Sequence, residues 1–266
     1  METMKKKRRK NSERRRTSRS RSRSPDKTGP SPINALDDGC LMHILSFLNP
    51  IPDRYNTALV CHRWRDLACH PRLWLRVEER PVKGFCGDGV FPDLKAAVLA
   101  AKPGDTILIA AGGSHVACDI QIKKPLCLVG GGALPDDTIL TCARGSDSAF
   151  EFLSTCKVMN LTVRAELGCC FLHRSGRLII EGCILQCEDN PLDYLCFPIV
   201  STASNTNALS TVVKGQGDSV SVAHTRIEGG AKAVLTSGTL EVQRVRVIYS
   251  RTSLLFWFDV EKMEKD

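Results

Sequence analysis

The sequence predicts a mainly β chain, in which a parallel β-helix over residues 79–266 follows a small all-α module over residues 33–78. Short β-branched runs broken by glycine fill the chain from Pro81 onward, and four of them share one spacing. A helical period of apolar residues is confined to the 33–78 module and to one later stretch. Residues 1–32 have almost no apolar side chain and are predicted to be a disordered, Arg/Ser-rich basic tail.

The tail accounts for the formal net charge of +8. Residues 1–32 hold thirteen Lys or Arg and have a net charge of +10, whereas the remaining residues sum to −2. Such basic clusters are typical of nuclear-import signals or of polyanion binding, so any affinity for nucleic acid is expected to belong to the tail. The Arg-Ser alternation resembles the segments of splicing-associated proteins that are phosphorylated on serine. The phosphorylation candidates are Ser18, Ser20, Ser22, Ser24 and Ser31.

Two amphipathic helices are predicted in the 33–78 module. The first ends at the run Asn49–Pro52 and the second at Pro71, because proline cannot continue a helix. One face of the first helix carries Leu41, Ile44, Leu45 and Leu48, and one face of the second carries Val60, Trp64, Leu67 and Ala68. So few residues cannot bury this apolar surface among themselves. Part of the surface is therefore expected to bind another protein.

The spacing of these residues resembles an F-box, the motif by which substrate receptors bind the Skp adaptor of cullin-RING ubiquitin ligases. The matching positions are Leu36, Leu41, Ile44, Leu45, Ser46, Leu48, Val60, Cys61, Trp64, Leu73 and Trp74. The resemblance implies that the adaptor is bound by Leu36, Leu41, Ile44, Leu45, Leu48, Val60, Trp64, Leu73 and Trp74. The chain departs from the motif at Asp37, where proline is usual, and at Gly39, where glutamate is usual. Both departures weaken the start of the first helix.

A repeat of about 21 residues is predicted in the long domain. Its copies are Cys156-Val158-Leu161-Val163, Leu178-Ile180-Cys183-Leu185, Val220-Val222-Thr225-Ile227 and Leu240-Val242-Val245-Val247. A wider gap before the third copy predicts a missing one, for which Phe197-Ile199-Thr202 is the candidate. Short strands at this period favour stacked coils of a parallel β-helix, whose two ends need caps. An amphipathic helix near 94–101 is expected to cover the first end, and residues 254–258 the last.

The stretch CGDGVFPDLKAAVLAAKPGDTILIAAGG resembles the opening of right-handed β-helix proteins of the pectin-lyase-like class. That class includes enzymes that cleave sugars, which need paired carboxylates on one face. Glu181, Glu228 and Glu241 stand singly on the predicted strand faces. The β-helix is therefore predicted to be a binding surface, with no catalytic residue and no cofactor. Two acids facing one groove would indicate a carbohydrate enzyme instead.

Thirteen cysteines are present, but the count is odd and no C-x-x-C pair or secretory signal accompanies them. They are expected to be reduced, buried side chains of an intracellular protein, with no metal site. No apolar stretch approaches the length of a membrane span.

The order of tail, F-box and β-helix resembles a family of plant F-box proteins. The phrases that carry this resemblance are LDDGCLMHI, NPIPDRYNTALVCHRWR, HPRLWLRV, RIEGGAKAV and FWFDVE. The resemblance implies a substrate-recognition subunit of an SCF-type cullin-RING ubiquitin ligase, with cullin and RING subunits reached through the adaptor and an unidentified protein target. Its compartment is expected to be the nucleus, with the cytoplasm as a second location. An alternative hypothesis is a nuclear RNA-associated scaffold that acts through the Arg-Ser tail.

Overall fold

The computed structural model describes residues 32–78, 89–187, 195–203, 217–251 and 255–257. The predicted disordered tail lies outside these ranges, except for Pro32. The chain divides into two compact units, residues 1–37 and 38–266. In the described part of the first unit, residues Pro32–Ala35 form a 3-10 turn.

The described helices are short. They are α1 Asp38–Ser46, α2 Tyr55–Ala58, α3 His62–Ala68 and α4 Leu94–Ala100. A π-type turn spans Pro50–Arg54, and further 3-10 turns span Pro71–Leu73 and Pro135–Asp137. None of the helices in the described ranges has the length and apolar character of a membrane span.

Three parallel sheets form the rest of the second unit. Sheet A contains, in spatial order, β2 Val90–Phe91, β1 Leu75–Val77, β3 Thr106–Ile109, β6 Leu126–Gly130, β9 Cys156–Met159, β12 Arg177–Glu181, β15 Ser219–Ala223 and β18 Thr239–Gln243. Sheet B contains β4 Ser114–Val116, β7 Ile139–Cys142, β10 Thr162–Ala165, β13 Ile184–Cys187, β16 Arg226–Glu228 and β19 Arg246–Ile248. Sheet C contains β5 Ile120–Ile122, β8 Ser148–Phe152, β11 Cys169–His173, β14 Ile199–Ser201, β17 Val234–Thr236 and β20 Leu255–Trp257. The chain visits the sheets in turn, so the predicted parallel β-helix is confirmed.

The strand register confirms the predicted repeat. Leu178 pairs with Cys156 on one side and with Val220 on the other, and Val220 pairs in turn with Leu240. In sheet B, Leu185 pairs with Val163 and Ile227. Equivalent positions of successive copies are therefore direct neighbours in the sheets. Alternate residues of each strand point into the core, as a period of two requires.

The corner between sheets A and B is formed by a single left-handed residue in each of four coils. Asn160 has φ 52°, His224 φ 50° and Arg244 φ 52°, and Gly182 occupies the same position with φ 61°. A side chain in this conformation costs about 1–2 kcal/mol, so local contacts have to hold it there. Asn160 does so by donating from its amide to the carbonyls of Gly130 at 3.2 Å and Gly132 at 2.7 Å.

The prediction of a missing repeat copy was wrong. β12 pairs directly with β15, so no further strand of sheet A lies between these two. The candidate residue Ile199 lies in β14, which belongs to sheet C and pairs with β11 and β17. Stacking requires a constant strand cross-section, but it places no limit on the loops between strands. A spacing twice the repeat is therefore compatible with a single coil.

The core is a column of aliphatic, cysteine and aromatic side chains enclosed by the three sheets. Its centre contains Phe150, Phe152 and Phe171, whose ring centroids lie 5.5 to 6.0 Å apart. Such aromatic pairs add about 0.5–1.5 kcal/mol to the effect of burial. Phe150 and Phe171 are cross-strand partners in sheet C, so the stack ties successive coils together.

The two ends of the β-helix differ. At the first end, α4 buries Leu94, Ala97 and Val98 against the core, as the amphipathic pattern predicted. At the last end, residues 255–257 form β20, which pairs with β17 and so continues sheet C, whereas residues 254 and 258 lie outside the described residues. Val242 was predicted to point into the core, but its side chain is 47% exposed, and among the described strands of sheet A none packs beyond β18.

A buried histidine lies inside sheet C. His173 Nδ1 is 2.9 Å from the Ser201 hydroxyl, and Nε2 is 2.8 Å from the Gly176 carbonyl. Because a carbonyl can only accept, Nε2 carries the proton and Nδ1 accepts from Ser201 in the neutral ring. Burial lowers the pKa of His173 below its usual value of 6.5, although the Gly176 carbonyl and Asp218 oppose the shift.

The folded protein is expected to lose stability as the pH falls below about 6.5, because the unfolded chain binds a proton at His173 before the folded chain does. The contribution of neutral His173 to the free energy of unfolding is complete above about pH 6.5. Below that pH it declines by at most about 1.4 kcal/mol per pH unit, until the pH reaches the lowered pKa of His173 in the folded chain. Thermal unfolding of the parent and of His173→Gln from pH 8 to pH 5 measures it. The variant should be less stable at pH 8 but show a shallower decline, and parallel curves would contradict this role for His173.

Candidate adaptor-binding site

The helices α1 and α3 are joined at their starts by an ion pair. Arg63 Nη2 lies 2.8 Å from Asp38 Oδ1, and Arg63 Nε donates to the same oxygen at 2.8 Å. Both side chains are well exposed, so this pair contributes little to stability. It links the first turns of the two helices. Helix α1 begins at Asp38 even though Asp37 and Gly39 replace the usual residues of the motif.

The predicted apolar face of α1 is divided between two environments. Leu41 and Leu45 are fully buried, and Leu67 and Ala68 of α3 are also buried. These four residues are the core of the helical module and hold it together. Ile44 is exposed, and Leu48 is half-buried beneath the π-type turn, where its carbonyl accepts from Arg54 Nη2 at 3.1 Å. Of the predicted α1 face, only Ile44 is therefore presented openly to solvent.

The predicted second helix is broken in two. Cys61 is extended, with φ −160° and ψ 167°, and separates α2 from α3. Val60 consequently lies in a turn between the helices and is exposed, whereas Trp64 of α3 is half-buried. The predicted face is wrong at Val60, which lies outside α3, whereas Trp64, Leu67 and Ala68 all lie on that helix. The break could not be predicted, because no proline or glycine in the sequence marks it.

Five large apolar side chains within residues 44–60 are exposed, namely Ile44, Phe47, Tyr55, Leu59 and Val60, and this set is named here the exposed apolar cluster. Sequence reasoning missed Phe47, Tyr55 and Leu59, since none of them lies on a predicted buried face. Phe47 follows Ile44 by three residues, which places both on one side of the helical turn. Its ring also packs edge-on against His43, with centroids 4.9 Å apart. A search for apolar residues outside the core pattern could have found these three.

The remaining predicted site residues are Leu36, Leu73 and Trp74. Leu73 and Trp74 are half-buried, at the 3-10 turn that follows α3. Leu36 is half-buried in the first compact unit, next to the Pro32–Ala35 turn. The serine candidates of the tail lie outside the described residues.

The helical module and the β-helix share a sheet. β1 follows Trp74 directly and lies inside sheet A, pairing with both β2 and β3. A second link is the half-buried Arg54. Burial lowers the pKa of its guanidinium, and the charge of Asp105 in the first coil partly opposes that shift. Asp105 is held in place by accepting from the backbone N–H of Lys102 at 2.7 Å.

Two of the three glutamates named on the predicted strand faces form ion pairs with neighbouring basic residues. Glu181 pairs with Lys157 at 2.8 Å, and Glu228 pairs with Arg226 at 2.7 Å and accepts from Gln186 at 2.6 Å. Glu241 is exposed on β18. The described residues contain no group of three or more His, Cys, Asp or Glu that could hold a metal ion.

The cysteines of the described ranges are all free thiols. Burial raises the pKa of Cys156 to about 11 and that of Cys183 to about 12. These thiols are protonated at neutral pH, and a protonated thiol is neither a nucleophile nor a metal ligand. Both act as small apolar side chains of the core. The prediction that the cysteines are buried is wrong for Cys40, Cys61 and Cys69 of the helical module, which are exposed.

Comparison with known proteins assigns the helical module. The family described as F-box-like matches residues 38–80, which covers α1 to β1. The F-box protein SKIP5 of Arabidopsis thaliana is 67% identical over 239 residues, which are 86% of this chain and 87% of that protein. The chain belongs to the SKIP5 family of F-box proteins.

Two solved structures are similar to the chain at low identity. Escherichia coli YbhC is 14% identical with a TM-score of 0.48, over 67% of this chain and 57% of that one. The pectin methyl esterase of the rice weevil is 15% identical with a TM-score of 0.37, over 61% of this chain and 57% of that one. The chain thus spans less than two thirds of either structure.

Proposed function

We propose that the chain is the substrate-recognition subunit of an SCF-type cullin-RING ubiquitin ligase. The helical module binds the Skp adaptor, and through it the cullin and RING subunits, while the β-helix binds a target protein. The observation that carries the proposal is the exposed apolar cluster on the module of an F-box protein.

The cluster has the properties of a protein-binding surface. Five large apolar side chains are exposed within residues 44–60, whereas isolated exposed apolar residues are the rule on a monomer's surface. Binding energy at such surfaces concentrates in a few anchors that become fully buried. The buried pair Leu41 and Leu45 supports the cluster from below. Trp64, Leu73 and Trp74 are half-buried and are proposed to complete the contact at its edge.

The shared sheet gives the proposed receptor a way to orient its target. Because β1 is an interior strand of sheet A, the module cannot swing freely on a linker at this point. A target bound to the β-helix would be held at high effective concentration near the ubiquitin-conjugating enzyme. The chain itself supplies no chemistry in this proposal.

The direct test is capture of purified Skp adaptor by the intact, purified chain. We expect a stable complex that elutes as one species in size-exclusion chromatography. A folded chain that captures none would overturn the proposal and would leave an independent scaffold. A fragment starting at Pro81 is a poor control, since it lacks β1. Variants of the exposed cluster in the intact chain are better.

The alternative function is an RNA-associated scaffold, and the +10 charge of residues 1–32 favours it. We expect a chain beginning at Ile33 to fold normally, to keep the adaptor and to lose nuclear enrichment. Fluorescence microscopy of the tagged truncation measures the last point, with the intact chain as control. Unchanged nuclear accumulation would contradict the prediction that the tail directs the protein to the nucleus. RNA binding that falls steeply with salt in the intact chain and is lost in this truncation, without adaptor capture by either, would favour the scaffold.

A further inference from the structure

A cleft separates α4 from β5 at the first end of the β-helix. It has a volume of about 580 Å³ and is named here the α4–β5 cleft. Its lining comprises Lys95, Val98, Leu99, Asp119, Ile120, Gln121, Lys123 and Lys124. β5 is the terminal strand of sheet C among the described strands, so the cleft runs along a sheet edge.

The floor of the cleft is apolar, and so is part of its rim. Val98 and Ile120 are buried in the core, whereas Leu99 is 74% exposed. Its neighbours Val98 and Ala97 already fill the inward face of α4, so Leu99 has no packing role in the helix. Leu99 therefore offers a ligand an exposed apolar contact beside the apolar floor of the cleft.

The rim is positively charged. Lys95 and Lys123 are exposed, and neither forms an ion pair or side-chain hydrogen bond with any residue that the structure describes. Lys124 is occupied, because its Nζ donates to the carbonyls of Leu99, at 3.0 Å, and Ala101. The carboxylate of Asp119 accepts from the backbone N–H groups of residues 147 and 148, at 3.1 and 3.2 Å. Of the charged side chains that line the cleft, Lys95 and Lys123 are therefore the two without a partner among the described residues.

We propose that the α4–β5 cleft binds an extended, acidic segment of the target protein. An apolar side chain of that segment packs against Leu99 and the floor, and flanking carboxylates pair with Lys95 and Lys123. The terminal strand β5 favours an extended conformation, because a peptide can add to a sheet edge as a further strand. This inference rests on the proposed receptor function and names the chemistry of its target.

The test uses a display library of random twelve-residue peptides selected on the intact, folded chain. We expect the enriched peptides to place Asp or Glu beside a Leu, Ile, Val or Phe. The best peptide, labelled with fluorescein, is then titrated with the variants Leu99→Asp and Lys123→Glu. Each should lose at least tenfold in affinity, since Leu99→Asp puts a negative charge where the apolar contact was.

Matched controls lie elsewhere on the β-helix. Leu134 is 63% exposed, so Leu134→Asp makes the same change at a similar exposure. Arg246→Glu reverses an exposed charge on β19. Both controls should bind the peptide like the parent. The proposal is overturned if no peptide is enriched, if the enriched peptides are basic or uncharged, or if all four variants bind equally. It is also overturned if Leu99→Asp converts a dimer into a monomer, because a second copy then fills the cleft.

Adaptor capture separates this inference from the function on which it rests. Leu99→Asp should capture the Skp adaptor as well as the parent does. If the chain binds acidic peptides through the cleft but captures no adaptor, the cleft inference stands and the proposed receptor function is wrong. If the chain captures the adaptor but fails the peptide test, the proposed receptor function stands and the cleft inference is wrong.

Discussion

Val60→Asp in the intact chain is expected to weaken capture of purified Skp adaptor by about thirty-fold to nearly a thousand-fold. Val60 belongs to the exposed apolar cluster, and a charge at a contact that becomes buried costs about 2–4 kcal/mol, the range of an interface anchor. That range corresponds to the stated loss of affinity. Surface plasmon resonance with immobilised adaptor measures it.

Val116→Asp is the matched control for this variant. Val116 is 65% exposed on β4, and Val60 is 63% exposed, so the two substitutions change the same residue type at the same exposure. Both should leave the free energy of unfolding within about 0.5 kcal/mol of the parent. Only Val60→Asp should affect the adaptor. Equal affinity for the two variants would show that the exposed cluster is not the adaptor contact.

Leu45→Ala distinguishes the supporting residues from the contact. Leu45 is fully buried in the helical module, so its truncation should destabilise that module by about 2–5 kcal/mol. Adaptor capture would then fall because the module unfolds and not because a contact is lost. Circular dichroism melting of the same sample separates the two causes. Val60→Asp should weaken capture with no change in melting.

The apolar pattern of α1 predicts which residues share a face of the helix, but not which of them are buried. A period of 3.6 residues places Leu41, Ile44 and Leu45 on one side of a helix, but it cannot say which of them other helices cover. The angle between α1 and α3 decides that, and it depends on packing partners far along the chain. The break at Cys61 was equally invisible, since its extended backbone has no proline or glycine as a signal.

The β-helix was predicted more completely, for a physical reason. Inward and outward side chains alternate strictly along a strand, so the residues of successive coils could be aligned from the sequence alone. Two features escaped this reasoning. The length of each coil depends on loops that stacking does not constrain, which produced the false missing copy. β1 was also missed, because three residues form too short a pattern and their partner β3 lies some thirty residues further along the chain.

Val222→Asp is expected to destabilise the protein by several kcal/mol, because Val222 is fully buried and the variant would place an unpaired charge in the core. Val222 lies on β15 and pairs in register with Val242 of β18. Val242 points to the same side of sheet A but is 47% exposed at the end of the stack. Val242→Asp should therefore cost only about 1 kcal/mol. The free energy of unfolding in urea measures both.

The variants Val222→Asp and Val242→Asp test the end of the β-helix as well as its strand register. Ser221 is the outward neighbour of Val222 and pairs with Glu241, so Ser221→Lys should be neutral or slightly stabilising through a cross-strand ion pair. A large loss of stability for Ser221→Lys with a small loss for Val222→Asp would show that the assignment of inward and outward residues is wrong by one position. Equal, large losses for Val222→Asp and Val242→Asp would mean that the last coil is covered in solution. The open end of sheet A would then be an interface.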